Sequence, residues 1–216
     1  MNTKSLCIIL DPAHGNDVKG KCSPDGTHKE YLWSREICKK LASKLDTLGY
    51  EVHFTTRGLK EPGLSKRRLE ANSIPTSNVK LLISLHNNAA GDGSNWYTAS
   101  GVEIYTSPGK TQSDIFSSMM YGQLKKDFPK LKFRYGSPDM QDCDKDANFT
   151  VLMGNYYAML IEWLFQDNRE EVSMLKDEKI NNAFCESLIK GIEDTKEPLR
   201  PKLPAWRLSY PDHHCC

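Results

Sequence analysis

Apolar residues along this chain follow two spacings, and the spacings alternate. Continuous apolar runs at Ser5–Leu10, Lys80–His86 and Tyr156–Ile161 predict strands buried on both faces. Tyr50–Thr56 and Gly101–Thr106 read as further strands. Between these runs, apolar positions recur at helical spacing. Ile37, Leu41, Leu45 and Leu48 mark the core face of a helix over Glu30–Leu48, which Gly49 is suited to end. Further helices are predicted at about Ser65–Ser73, over Ser113–Phe128 before Pro129, and in a closing helical region, Glu170–Asp194. Gly15–His28, Asn87–Ser100 and Lys130–Asn148 lack either spacing and read as loops; the last is acidic. The β-loop-α-β alternation predicts an α/β fold, with a mostly parallel twisted sheet flanked by helices in a single domain. That domain is assigned to residues 1–196, and the prolines at 198, 201, 204 and 211 make residues 197–216 a Pro-rich tail.

Composition narrows the function. At 38% hydrophobic and 26% charged residues, the 216-residue chain carries enough apolar surface for a real core. A net charge of +1 argues against nucleic acid or an anionic membrane surface as the partner. No apolar run reaches the length of about 20 residues that a membrane helix requires. The start, Met1-Asn2-Thr3-Lys4-Ser5, leads directly into a strand and resembles no signal peptide, so synthesis in the cytoplasm is expected. A monomer is the default expectation. The seven cysteines form no Cys-x-x-Cys pair and read as free thiols in a reducing compartment.

The chemistry gathers at strand ends. Asp11-Pro12-Ala13-His14-Gly15 follows the first strand, Ser84-Leu85-His86-Asn87 ends the third, and Leu160-Ile161-Glu162-Trp163 ends the last. In a parallel sheet the carboxyl ends of strands share one edge, where ligands bind. Glu162 stands out, because a carboxylate inside an apolar run is costly to bury unless it is paired or functional. Glu30 opens the first helix, where an acid also complements the helix dipole. His28 and Glu36 compete for its role, although Glu36 lies on a different helical face. Asn87 and Asn88 bear amides that suit the free nitrogen of His86, or a substrate. Together His14, Glu30 and His86 form a candidate site for one catalytic zinc ion, with a coordination position left for water. Glu162 is then free to act as the general base.

At these residues the chain resembles the zinc-dependent N-acetylmuramoyl-L-alanine amidases whose ligands are a histidine, a glutamate and a second histidine. The resemblance rests on Asp11-Pro12-Ala13-His14-Gly15, Glu30 in Lys29-Glu30-Tyr31-Leu32, Thr55-Thr56-Arg57, Ser84-Leu85-His86 and Glu162-Trp163, with Phe149-Thr150-Val151-Leu152 before the last strand. It spans roughly Leu6 to Ile192 in the family's order. It departs at Asn16, where a glycine is usual, and at Asn155-Tyr156-Tyr157, where proline is common. The resemblance implies a peptidoglycan substrate, cleavage between N-acetylmuramic acid and L-alanine, and action on the cell wall or periplasm. A phage-type lysin released by a separate pore suits a bare catalytic domain without wall-binding repeats.

Two rivals share these motifs. A zinc peptidase cutting peptidoglycan cross-links would use the same metal chemistry, with the bond chosen by Asn87–Ser100 and Lys130–Asn148. A non-catalytic peptidoglycan-binding module would need no base. A purely structural zinc site fits poorly, because such sites favour four ligands and cysteine. The terminal His213-His214-Cys215-Cys216 is spaced too tightly for all its side chains to close on one ion.

Overall fold

Ile8, Leu10, Ile83, Leu85, Met159 and Ile161 alternate with Cys7, Ile9, Leu82, Ala158 and Leu160, and both sets are buried. The apolar runs therefore become strands covered on both sides, as their composition requires. The computed structural model describes residues 6–136 and 143–195. The strands are β1 (Leu6–Pro12), β2 (Glu51–Phe54), β3 (Val79–Asn88), β4 (Val102–Thr106), β5 (Lys145–Asp146) and β6 (Tyr157–Phe165). They form one sheet in the order β2-β1-β3-β6-β4-β5. β1, β2, β3 and β6 run parallel, whereas β4 is antiparallel to β6. The α/β expectation holds, with the sheet mixed at one side.

The two faces are covered unequally. One carries the larger core, where α1 (Glu30–Thr47), α3 (Gln112–Asp127), α4 (Arg169–Leu175) and α5 (Glu178–Asp194) meet the sheet through Ile37, Leu41, Phe116, Met120, Leu175, Phe184 and Leu188. The other face packs against α2 (Leu64–Ser73) and a short 3-10 turn at Thr150–Leu152, through Ala71, Ile74, Val151 and Leu152. His86 and Glu162 alternate onto this second face, in step with Leu82 and Leu160. The face that carries His86 and Glu162, called the cleft face below, is thus the less covered side of the sheet.

Several boundaries differ from the sequence reading. β3 and β6 run past their predicted ends, so His86 and Glu162 are paired residues inside strands. The closing helical region is two helices, because Asp177 caps a new one by accepting from the Lys179 and Ile180 amides. The acidic segment contributes β5 and a buried Asp144, which accepts from Thr106 and Ser117. Cys143 corrects the free-thiol reading, since it is disulfide-bonded. Cys7, Cys22, Cys38 and Cys185 are free. The Pro-rich tail, its histidines and its cysteines lie outside the described residues. No helix among the described residues is long and apolar enough to cross a membrane.

Candidate active site

The site begins with the turn after β1. His14 has a left-handed backbone, φ 45°, which costs a non-glycine residue roughly 1 kcal/mol or more. Two arginines hold the turn in place. Arg35 of α1 donates to the carbonyls of Ala13 at 2.9 Å and His14 at 2.7 Å. Arg67 of α2 donates to the carbonyls of Pro12 at 2.5 Å and His14 at 3.2 Å. Arg67 is itself buried and paired with Asp11 and Glu61, each at 2.8 Å. The next residue must be glycine, because a Cβ on Gly15 would lie 2.0 Å from the Glu61 amide nitrogen.

This turn delivers His14 to two residues from distant parts of the chain. Its Nε2 lies 3.4 Å from Glu30 Oε1, and His86 Nδ1 lies 3.1 Å from the same oxygen. The imidazoles meet edge to face, with ring centroids 4.9 Å apart. One ligand atom from each of His14, Glu30 and His86 falls within 4.8 Å of the others. Glu30 is fully buried and fixed at both oxygens: Oε1 accepts from the backbone N–H of Asn87 at 3.0 Å, and Oε2 from Gln166 Nε2 at 3.0 Å.

Electrostatics within this group are strong. Burial opposes ionisation of Glu30, but hydrogen bonds from His14 and His86 hold its carboxyl well below the usual range. Burial likewise opposes charge on His86, and Glu30 outweighs it, raising the imidazole above its ordinary value. A buried carboxylate facing two imidazoles wants a cation. Nitrogen and oxygen donors with outer hydrogen bonds from Gln166 and Asn87 suit a zinc-type ion.

Glu162 stands beside His86, its register partner across β3 and β6, and opposite Glu103 of β4. Its Oε2 is buried and has no hydrogen-bond partner among the described residues. Burial, then the charge of Glu30, push its carboxyl up to about 7, against the pull of His86. No Arg or Lys ion-pairs with this half-buried acid among the described residues, so a salt bridge does not explain its place in the strand. β6 bulges immediately after it. His86 pairs with Glu162 but Asn88 pairs with Phe165, and Leu164 takes a left-handed φ of 63°.

The two asparagines do not behave alike. Asn87 is buried, its side-chain amide donates to the Trp163 carbonyl at 2.8 Å, and its side-chain oxygen meets His28 Nε2 at 2.8 Å. β3 continues through it, so alternation turns Asn87 toward the large core, away from the cleft. Asn88 returns to the cleft face and donates to Glu103 at 3.0 Å. His28 is occupied with Asn87, and Glu36 pairs with Lys40 at 3.0 Å; neither joins the cluster.

Sequence reading missed the supports. Gln166, Arg35 and Arg67 carried no spacing signal. Asp11 did, because it closes an apolar run much as Glu162 does; it accepts from Arg67, Thr55 and Ser84. Glu103 was also missed. It is 4% exposed and gathers Arg134 at 2.5 Å, Lys145 at 2.9 Å and the Tyr105 hydroxyl at 2.6 Å next to Glu162.

Known proteins resemble this chain in sequence and fold. The endolysin of Bacillus phage SPP1 is 28% identical over 194 residues, covering 88% of this chain and 66% of that protein. Among solved structures, the N-acetylmuramoyl-L-alanine amidase of Clostridium difficile 630 superposes with a TM-score of 0.76 at 26% identity, covering 89% of this chain and 97% of its own. An amidase of Nostoc punctiforme has the same fold, with a TM-score of 0.73 at 20% identity, covering 88% of this chain and 96% of its own. The N-acetylmuramoyl-L-alanine amidase family model matches residues 8–194, and with a match over most of its length the chain belongs to that family.

Proposed function

We propose that this chain hydrolyses the amide between the lactyl group of N-acetylmuramic acid and L-alanine in peptidoglycan, using one zinc ion, and that it acts on the cell wall as a lysin. One observation carries the reading. His14, Glu30 and His86 converge at the strand edge, and beside them lies a half-buried acid, Glu162, whose Oε2 is buried and unpartnered among the described residues. His14, Glu30 and His86 would hold the zinc ion, which would supply Lewis acidity for the scissile carbonyl and lower the pKa of water. Glu162 moves the proton: Oε2 takes it from the attacking water and returns it to the departing alanine nitrogen as the C–N bond breaks. Gln166 and the Asn87 amide keep Glu30 turned toward the imidazoles. The endolysin relative supports the lytic role and the wall as the place of action. Residues 1–196 form the catalytic unit in this reading.

Mass spectrometry of purified peptidoglycan digested by the zinc-loaded protein tests it. Free stem peptides beginning at L-alanine, with sugar chains bearing free lactyl groups, are expected. Severed cross-links with stems still on the sugar would replace the amidase with a peptidase. Binding without products would leave a wall-binding module.

A further inference from the structure

A second set of metal-ligating side chains lies toward the opposite end of the strands. Cys7 of β1 pairs in register with Glu51 of the edge strand β2, and His53 follows two residues along on the same face. A thiol sulfur, a carboxylate oxygen and an imidazole nitrogen from these residues lie within 4.8 Å of one another. Cys7 is about 13 Å along β1 from Asp11, at ~3.3 Å per residue, so the group is separate from the cluster around Glu30.

We propose that Cys7, Glu51 and His53 form a second metal site, one that takes a zinc-class ion and fastens the edge strand β2 to β1. The donors are built for it. Glu51 Oε2 accepts from the Thr76 hydroxyl at 2.6 Å and from Asn78 Nδ2 at 2.7 Å. This fixes the carboxylate and leaves Oε1 toward His53 Nε2, at 2.9 Å. Outer hydrogen bonds of this kind orient metal ligands. Lys80 pairs with Cys7 across β1 and β3, but its ammonium is bound to the carbonyls of Ala71 at 3.2 Å and Asn72 at 2.8 Å. It is therefore held away at the end of α2. Cys7 is fully buried, whereas the His53 and Glu51 side chains are 37% and 30% exposed. An ion enters from solvent and meets sulfur at the floor.

Charge also balances. Burial, then Glu51, push the Cys7 thiol up to about 12, so without an ion it is neutral. A dication displaces the thiol proton to solvent, and thiolate, carboxylate and dication together sum to zero. Sulfur, nitrogen and oxygen donors with one position open to water match zinc and its cobalt substitute, not magnesium or calcium.

Cobalt(II) titration of the metal-free full chain tests this independently of catalysis. Only a sulfur-ligated ion gives the strong near-ultraviolet sulfur-to-cobalt charge-transfer band, and the cluster around Glu30 contains no sulfur. The expected result is that band, with one cobalt equivalent lost along with it in both Cys7→Ser and His53→Ala. Amidase turnover should survive in His53→Ala, whose half-exposed position also guards against a folding failure at Cys7. Titrations of His53→Ala that superimpose on the unsubstituted chain would overturn the proposal. So would absence of the band from that chain.

Discussion

Replacing Glu162 by glutamine should sharply slow turnover and stabilise the metal-free protein at once. Glutamine keeps the shape of the side chain and removes its charge. Burial raises the folded-state value of Glu162 from 4.5 to about 7. An acid raised in this way is destabilising once it must ionise. Below its unfolded value the native protein carries no penalty; the penalty grows as pH rises and is complete above about 7. At ~1.4 kcal/mol per pKa unit, the full rise corresponds to on the order of 3 kcal/mol in the metal-free state. A cation at the neighbouring cluster stabilises the carboxylate, so the gain should shrink in the zinc-loaded protein.

The assay is denaturant unfolding of the unsubstituted chain and Glu162→Gln, metal-free, at pH 4.5 and pH 8. The variant should be more stable at pH 8 and nearly equal at pH 4.5. Turnover on peptidoglycan should fall by about 10²–10⁴-fold, the usual contribution of a general base. Bound zinc should remain at one equivalent in the Glu30 cluster. Equal stability at both pH values would refute the account of the buried charge. Loss of zinc from Glu162→Gln, as complete as from a histidine variant, would make Glu162 a ligand and refute the division of roles.

Other substitutions test the frame around that acid. His14→Ala and His86→Ala should each lose zinc and turnover together, as read by metal analysis and product release. Gln166→Leu should fold, yet bind zinc about 10–100-fold more weakly, because Glu30 loses the donor that orients it. Arg67→Met should cost about 3–5 kcal/mol in denaturant unfolding, since it strands buried Asp11 and frees the carbonyls of the His14 turn. Glu171→Gln should be close to neutral at pH 4.5, where the carboxyl is itself protonated and already offers one of the Phe165 and Gly101 amides only a hydroxyl oxygen. Burial raises Glu171 to about 7, so the stability of the unsubstituted chain falls as pH rises through that value, and the variant should be the more stable in denaturant unfolding at pH 8.

Much of this was legible in the chain, for identifiable reasons. The central strands announce themselves because strands buried on both faces need apolar residues at every position. Glu162 announces itself for the converse reason: it interrupts such a run. The direction of β4 was not legible, because alternation is the same in a parallel and an antiparallel strand. β5 is too short to carry a pattern. The direction in which Asn87 faces was not legible, because β3 runs two residues past its expected end. Once the strand is continued, the alternation that sends His86 to the cleft sends Asn87 to the core. Arg67 sits in a helix that reads as basic and exposed, and no local pattern says that one of its arginines is 2% exposed under a turn from another element.

What sequence cannot display is how the backbone is held in unfavourable conformations on either side of the site. His14 and Leu164 are the non-glycine residues with left-handed φ among the described residues, and each adjoins the cleft. Each conformation persists because buried groups over-determine it. At His14 the hold comes from Arg35 and Arg67, each bridging the turn to a different helix. At Leu164 it comes from Glu171, which accepts from Phe165 just beyond the bulge and from Gly101 at the start of β4. The two left-handed residues do different jobs. One turns an imidazole back over the sheet edge toward Glu30. The other shifts the register of β6 after Glu162, so the base stays paired with His86 while Gln166 comes round to reach Glu30. Ligands and base come from separate segments spread between residues 14 and 162 of the chain, and the distances between them are set by carbonyls and amides clamped from α1, α2 and α4.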